Sequence, residues 1–225
     1  MNINKEKTME KNKPQSKNSF YFTLLCMCFV TILILSNIAA SNTININPFI
    51  SLSAAELLFP LSYIIGDLIV EIYGFKKARQ VIVIGLAITL FSCVFLYITT
   101  LLPTGYDEYN TVFGFLTGGV IGITIASILA YLVGSLSNAY IMQRLKEKHK
   151  EKKFFLRAMV STLVGESLDS LFFITFCCIF ASQYYSWDRL ISFVITITVA
   201  KVLFETILFP LTKYLRKIII KKEQA

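Results

Sequence analysis

The sequence of 225 residues is short of charge. Charged residues make up 16% of it, against about 25% in ordinary soluble domains, and hydrophobic residues make up 55%. Mean hydropathy is +0.64. These values exclude a soluble globular protein, and so many apolar residues exclude a disordered or collagen-like chain. The class that remains is a polytopic helical membrane protein.

The residue sets of familiar catalytic and metal sites are also lacking. The single histidine, His149, lies in the most charged loop, and the sequence indicates no Ser-His or Cys-His pair for nucleophilic catalysis. The cysteines lie in apolar runs without the spaced partners of a zinc site, so we expect them to be buried. We therefore predict no enzyme, no metal and no cofactor. The cysteines are Cys26, Cys28, Cys93, Cys177 and Cys178.

Six apolar stretches are long enough to cross a bilayer, whose core of about 30 Å needs roughly 20 helical residues. Such spans are helices or closed barrels, and runs of this length without alternation are not barrel strands. The sequence therefore predicts an all-α fold of six transmembrane helices in residues 20–217, with basic tails at 1–19 and 218–225. The stretches are residues 20–40, 54–73, 81–101, 118–142, 158–181 and 190–214.

Lysine and arginine are concentrated in alternate connections. The N-terminal tail carries five, the loop after the second stretch three, the loop after the fourth seven and the C-terminal tail five, so 20 of 22 lie on one side. The connections 41–53 and 102–117 carry none, and the loop after residue 181 carries Arg189 alone. Because cytoplasmic loops are enriched in Lys and Arg, we predict that both termini are cytoplasmic.

Ionisable residues inside apolar stretches are costly and are therefore functional candidates. In the second stretch, Tyr63, Asp67 and Glu71 follow Glu56 at helical spacing, so a ring and carboxylates share one stripe. Other roles are open for each acid. Glu56 completes a capping box with Ser53, Glu71 lies near a basic loop, and Asp67 could hydrogen-bond to a neighbouring helix.

The fifth and sixth stretches add four ionisable residues: Glu166, Asp169, Lys201 and Glu205. Counting about 1.5 Å per residue from the nearest inner-side cation places Asp169 and Lys201 roughly 18 Å deep. The same count places Asp67, Glu166 and Glu205 roughly 12 to 14 Å deep. We expect these groups to share one layer, with Lys201 paired to a carboxylate. That pair either holds helices together or takes part in function.

Small residues recur at every fourth position of the fourth stretch. Such a stripe lets another helix approach closely. It serves either packing within the chain or docking of a second subunit, so a homo-oligomer is a possible partner state. The residues are Gly118, Gly122, Ala126, Ala130 and Gly134.

Three separated groups of residues stand in the order and spacing of a known family. They resemble the queuosine precursor transporter family of the vitamin uptake transporter group, over about residues 20–217. Members often carry Gln and Asp in place of Ser135 and Asn138. The matching residues are Ser36-Asn37; Phe59-Pro60-Leu61-Ser62-Tyr63 with Asp67, Glu71, Tyr73-Gly74 and Ala78-Arg79; and Ser161-Thr162, Gly165-Glu166, Asp169-Ser170, Lys201, Glu205 and Pro210.

The resemblance implies a multi-pass transporter of a bacterial cytoplasmic (inner) membrane that imports 7-deazaguanine precursors of the tRNA base queuosine. Carboxylates suit the N1–H and amino donors of such a base, and rings suit its flat face. The expected partners are this small molecule and the lipid bilayer, not nucleic acid, despite a net charge of +8. The expected substrate-binding residues are Asn37, Phe59, Tyr63, Asp67, Glu71, Glu166, Asp169, Lys201 and Glu205.

Two other functions remain open from the sequence. The first is the substrate-capturing subunit of an energy-coupling-factor importer, whose partner would be an ATPase module. The second is a proton-coupled carrier of another small cation, which the intramembrane acids alone would permit.

Overall fold

The computed structural model of the chain describes residues 20–39, 43–47, 50–102, 121–149, 153–180 and 187–223. The helical fold class is confirmed. The predicted tail at 1–19 and the connection at 103–117 lie outside the described residues. Six α-helices are present in the described part: α1 (Phe20–Ala39), α2 (Phe59–Tyr73), α3 (Phe75–Thr100), α4 (Ile121–His149), α5 (Phe154–Phe180) and α6 (Leu190–Glu223).

Five of these helices, all except α2, are long and apolar enough to cross a membrane. The chain is therefore a multi-pass membrane protein. Helix α2 has 15 residues and a length of about 22 Å, short of a core of about 30 Å. The predicted 54–73 span is divided because Ala54–Leu57 form a 3₁₀ turn. Pro60, which suits the first turn of a helix, then starts α2.

A short antiparallel hairpin precedes α2, where the sequence predicts only a connection. Its strands are β1 (Thr43–Asn47) and β2 (Ile50–Ser53), with Ile44 opposite Leu52. Apolar and polar residues alternate through both strands. This alternation is typical of strands, so the sequence does carry the signal for the hairpin.

Helix α2 is enclosed by the other helices. It packs against α1, α3, α4 and α6, and 11 of its 15 residues are buried, including Asp67 and Glu71. The outer faces of the bundle instead expose large apolar side chains such as Phe91, Ile191 and Ile207. Because α2 has little contact with the surroundings, its carboxylates are kept away from lipid.

Helices α4 and α5 approach closely at two glycines. A methyl group on Gly134 would lie 2.8 Å from the carbonyl oxygen of Gly165, and one on Gly165 would lie 3.0 Å from the carbonyl oxygen of Gly134. Ala126 and Ala130 of the same stripe are also fully buried. In its described part the stripe therefore serves packing within the chain; Gly118 lies outside the described residues.

The basic ends of the helices gather at one end of the bundle. The Lys77 ammonium, in the first turn of α3, lies 4.7 Å from the ring centroid of Phe22 in α1. Tyr73, the last residue of α2, donates a hydrogen bond of 2.8 Å to Glu223 at the end of α6. Gly74 alone joins α2 to α3 with φ of 86°, a conformation that glycine adopts without steric cost.

Three expectations about helix ends and burial change with the structure. Cys177 and Cys178 are buried and Cys26 and Cys93 are half-buried, but Cys28 is exposed, because a thiol is apolar enough for the outer face of α1. Arg157, counted above as a loop cation, lies in the first turn of α5 and is fully buried. Residues 218–223 belong to α6. The helices extend past their apolar stretches because hydropathy marks the bilayer rather than the helix ends.

Candidate functional site

Lys201 lies among three carboxylates. Its ammonium donates a hydrogen bond of 2.6 Å to Asp169 and lies 3.2 Å from Glu166 and 3.8 Å from Glu56. The Lys201 side chain is 5% exposed and that of Glu166 is fully buried. The predicted pairing of Lys201 with a carboxylate is confirmed. We call Lys201, Asp169, Glu166 and Glu56 the acid-rich cluster.

Three parts of the chain supply the acid-rich cluster. Glu166 and Asp169 lie one turn apart on α5, Lys201 lies on α6, and Glu56 lies in the 3₁₀ turn before α2. Helix α2 begins after Leu58 without a side-chain cap, and the Glu56 carboxylate lies instead beside Lys201. With one ammonium among three carboxylates, the cluster has more acidic than basic groups.

Aromatic rings lie against the acid-rich cluster. The Lys201 ammonium is 5.4 Å from the ring centroid of Phe59. The rings of Phe59 and Tyr63 lie 5.8 and 5.4 Å, centroid to centroid, from Tyr131 of α4. Tyr131 donates a hydrogen bond of 2.7 Å to Ser62. Phe59 and Tyr63 of α2 and Tyr131 of α4 thus form an aromatic surface, which we call the ring wall.

Tyr131 and Asn138 are absent from the predicted site residues, yet both are buried beside them. The Asn138 amide donates a hydrogen bond of 2.8 Å to Asp67. Tyr131, Ser135 and Asn138 stand at steps of four and three along α4, a helical spacing that places them on one face. That polar stripe is the sequence signal for a contribution from α4.

Two further acids, Asp67 on α2 and Glu205 on α6, lie outside the acid-rich cluster. Asp67 accepts the hydrogen bond from Asn138, and Glu205 accepts one of 2.7 Å from the Thr162 hydroxyl. In the described part of the chain, neither carboxyl group has a cation within the 4.0 Å of an ion pair. Both are buried, at 1% and 2% exposure.

Glu71 lies in a different cluster at the basic end of the bundle. Its Oε1 accepts hydrogen bonds of 2.7 Å from Arg157 and of 2.7 and 3.1 Å from Arg216, and Lys146 donates to its backbone carbonyl. The side chains of Glu71 and Arg157 are fully buried, whereas those of Lys146 and Arg216 are 22% and 19% exposed. We call these four residues the base-rich cluster.

The remaining predicted residue, Asn37, is half-buried on α1. Its amide donates a hydrogen bond of 2.9 Å to the carbonyl oxygen of Leu33 in the same helix. The structure therefore brings Phe59, Glu166, Asp169 and Lys201 together and places Glu71 among cations. Within the described residues, no three His, Cys, Asp or Glu side chains are arranged to hold a metal ion.

A comparison with protein families identifies the chain. The family described as "Putative vitamin uptake transporter" matches residues 53–215, a range that includes the acid-rich cluster, Asp67, Glu205 and all of the base-rich cluster except Arg216. Comparisons with curated proteins and with solved structures gave no match. Because the matched range is more than half of the sequence, the chain belongs to the vitamin uptake transporter family.

Proposed function

We propose that this chain imports 7-deazaguanine precursors of queuosine across a bacterial cytoplasmic membrane. The motifs that resemble the queuosine precursor family support this substrate, and membership of the vitamin uptake transporter family supports transport. The observation that carries the proposal is a buried carboxylate beside a buried ammonium. Glu166 lies 3.2 Å from Lys201, and neither of its carboxylate oxygens has a hydrogen-bond partner among the described residues.

The chemistry of a deazaguanine edge fits these two groups. The edge presents a carbonyl oxygen, an N1–H and an exocyclic amino group side by side. A carboxylate accepts the two donors in bidentate fashion, and an ammonium donates to the carbonyl oxygen. We assign the first role to Glu166 and the second to Lys201. The surplus of carboxylates in the acid-rich cluster also suits the cationic group of the aminomethyl precursor.

The ring wall suits the flat face of the same substrate. Phe59 lies 5.4 Å from the Lys201 ammonium, so a base held by Lys201 and Glu166 would lie within reach of this ring. Stacking of a base on an aromatic side chain contributes about 1–3 kcal/mol. Hydrogen bonding to the edge of the base and stacking on its flat face would together favour guanine-like bases over small cations that lack these features.

The test is restoration of queuosine in the tRNA of a precursor-starved strain that lacks its own transporter. We expect this chain to restore queuosine and Asp169→Asn to lower uptake about tenfold or more, the effect of about 1.4 kcal/mol in the transport step. Asp188→Asn, at an exposed aspartate, is the matched control. Membrane-inserted protein that restores no queuosine would contradict the proposal.

Uptake assays in the same strain distinguish the proposed function from the two alternatives. Uptake by the chain alone argues against a substrate-capturing subunit, whereas copurification of an ATPase module argues for one. Failure of guanine-like bases to compete for uptake would favour a carrier of another cation. A homo-oligomer remains a proposal, which the mass of the purified protein tests.

We also propose six crossings with both termini cytoplasmic. The gathering of Phe22, Tyr73, Lys77 and Glu223 at one end of the bundle supports an even number of crossings, and the positive-inside rule supports the orientation. A cysteine introduced at Asn110 should react with an impermeant reagent from outside, and one at Lys148 should not. The reverse labelling pattern contradicts this orientation.

A further inference from the structure

We propose that the acid-rich cluster selects 7-deazaguanines whose 7-substituent carries a positive charge, and that Glu56 is the residue that binds this charge. This selectivity rests on the transport function proposed above and concerns the same site. It would make the aminomethyl precursor bind more tightly than the neutral cyano precursor.

The acid-rich cluster has more carboxylates than its own cation can satisfy. The Lys201 ammonium donates a hydrogen bond of 2.6 Å to Asp169 and lies 3.2 Å from Glu166. Among the residues that the structure describes, it is the only cation within 4.0 Å of these acids and of Glu56. Because buried carboxylates without a cation are costly, a second positive charge is favoured in this cluster. A neutral group would leave the surplus of negative charge unchanged.

Glu56 is the carboxylate that is left for a second cation once Glu166 holds the edge of the base. Its separation of 3.8 Å from Lys201 exceeds a hydrogen-bond distance, and its Oε2 atom is buried without a hydrogen-bond partner among the described residues. The Glu56 side chain is 16% exposed, against 8% for Asp169 and 0% for Glu166. A cation that arrives from water therefore meets Glu56 at the edge of the cluster.

The Tyr63 hydroxyl is a second observation that indicates a ligand with hydrogen-bond donors. Tyr63 is 1% exposed, and its hydroxyl has no hydrogen-bond partner in the described part of the chain. A methyl group on Gly134 would lie 2.5 Å from this hydroxyl oxygen and 2.6 Å from Asp169 Cβ, so the hydroxyl borders the acid-rich cluster. An ammonium group has three N–H donors. The carboxylates of Glu56 and Asp169 and the Tyr63 hydroxyl supply three acceptors.

The shape of the substrate brings its 7-substituent to the same cluster. In a 7-deazaguanine, the carbonyl oxygen lies between the N1–H and the 7-substituent along the edge of the ring system. With the carbonyl oxygen at Lys201 and the N1–H at Glu166, the 7-substituent would lie on the far side of the carbonyl oxygen from Glu166. An aminomethyl ammonium in that place would be close to the Lys201 ammonium, and a carboxylate beside both offsets their repulsion. Glu56 lies beside Lys201 but on a different element from Glu166, so we assign this role to it.

An ammonium group suits these residues better than a metal ion does. Hard cations take about six oxygen ligands, and within the described ranges no three His, Cys, Asp or Glu side chains are arranged to hold a metal. An ammonium is satisfied by three acceptors, which is the number that the cluster and the Tyr63 hydroxyl provide.

The selectivity is tested by calorimetric titration of the purified protein with three bases at neutral pH. The first is 7-aminomethyl-7-deazaguanine, and the second is the cyano precursor. The third is the 7-hydroxymethyl analogue, which has nearly the size of the aminomethyl form but no charge. We expect the wild type to bind the aminomethyl form about tenfold or more tightly than either neutral base, the effect of one charge-assisted hydrogen bond.

Two results for the wild type would contradict different claims. A wild type that binds either neutral base as tightly as the aminomethyl form overturns the selectivity and leaves the proposed function standing. Folded protein that binds none of the three bases contradicts the proposed function, and the selectivity with it.

The role of Glu56 is tested by Glu56→Gln, which keeps the side-chain size and removes the charge. The quantity to compare is the affinity for the aminomethyl form divided by that for the hydroxymethyl analogue. We expect this ratio to fall about tenfold in Glu56→Gln and to stay unchanged in Glu147→Gln, at an exposed glutamate. A folded Glu56→Gln protein with the wild-type ratio overturns the assignment of Glu56. If this variant does not fold, the wild-type ratio still decides the selectivity.

Discussion

The acid-rich and base-rich clusters have opposite compositions. The first surrounds one ammonium with three carboxylates, and the second surrounds one carboxylate with three cations. They differ in access to water. Lys146 and Arg216 of the base-rich cluster are 22% and 19% exposed. In the acid-rich cluster Lys201, Asp169 and Glu166 are 5%, 8% and 0% exposed, and Glu56 is 16% exposed.

We infer from this difference that the base-rich cluster is structural and that the acid-rich cluster is functional. The surplus positive charge at the end of the bundle can be hydrated through the partly exposed side chains. The ion pairs of Glu71 with its cations can therefore connect the helices without a bound ligand. Around Lys201, Glu56 is 16% exposed, but Asp169 and Glu166 are 8% and 0% exposed, and unpaired buried charge is costly. We infer that the acid-rich cluster needs an added cation or hydrogen-bond donors, which a substrate supplies.

The largest expected effect is that of Lys201→Met, which leaves the buried Asp169 and Glu166 and the partly exposed Glu56 without their cation. We expect a loss of about 3–5 kcal/mol in stability, measured as the thermal unfolding midpoint and yield in detergent. Adding Asp169→Leu should recover part of the yield, because it removes the carboxylate that accepts the 2.6 Å hydrogen bond. If Lys201 binds substrate, that double variant inserts but does not restore queuosine. An abundant and active Lys201→Met protein would remove Lys201 from the site.

The corresponding change in the base-rich cluster is Glu71→Gln. We expect a smaller loss of about 2–3 kcal/mol in the same unfolding assay, since Arg157 loses the charge of a buried neighbour at 2.7 Å, whereas Lys146 and Arg216 are partly exposed to water. Glu147→Gln, at an exposed glutamate, is the matched control. A loss as large as that of Lys201→Met would mean that the two clusters do not differ in access to water.

Gly134→Ala tests the close packing beside the acid-rich cluster. The added methyl group would lie 2.5 Å from the Tyr63 hydroxyl and 2.8 Å from a backbone carbonyl oxygen, so we expect a loss of about 1–3 kcal/mol in stability. Gly66→Ala is the control, because a methyl group there meets nothing within 4 Å. Equal unfolding midpoints for the two variants would contradict the close approach of α4 and α5.

The smallest expected effect is that of Arg216→Lys in the base-rich cluster. Arg216 holds Glu71 through two nitrogens and is partly exposed. Lysine keeps the positive charge but has one nitrogen in place of the two guanidinium nitrogens that donate to Glu71. The loss in stability should therefore be about 1 kcal/mol or less. An unfolding midpoint lowered as far as in Glu71→Gln would contradict the role of hydration in this cluster.

Much of the acid-rich cluster could be predicted from the sequence, because helical rise alone gave Asp169 and Lys201 the same depth. Glu71 was harder to assign, since sequence spacing places it on the stripe of Asp67 but does not reveal that α4, α5 and α6 surround it with cations. Arg157 has the sequence appearance of a loop residue because it stands next to a run of lysines. Its burial depends on tertiary packing.

The fold was predictable to a similar extent. Apolar length identified the helices, but it could not reveal that α2 is short, because Ala54–Leu57 are apolar enough to extend the run while forming a 3₁₀ turn. The hairpin was predictable from its alternation. The contribution of α4 was predictable from the spacing of Tyr131, Ser135 and Asn138, although its small residues are the more obvious pattern.

The most direct test of the account is the affinity of the purified protein for labelled 7-aminomethyl-7-deazaguanine, compared between the two clusters. We predict that Glu166→Gln weakens binding about tenfold or more, equivalent to about 1.4 kcal/mol, and that Arg216→Lys changes it less than about twofold. Both variants should first be shown to unfold at the wild-type temperature or within a few degrees of it. A folded Glu166→Gln protein that binds this base as tightly as the wild type would contradict the assignment of the acid-rich cluster as the substrate site.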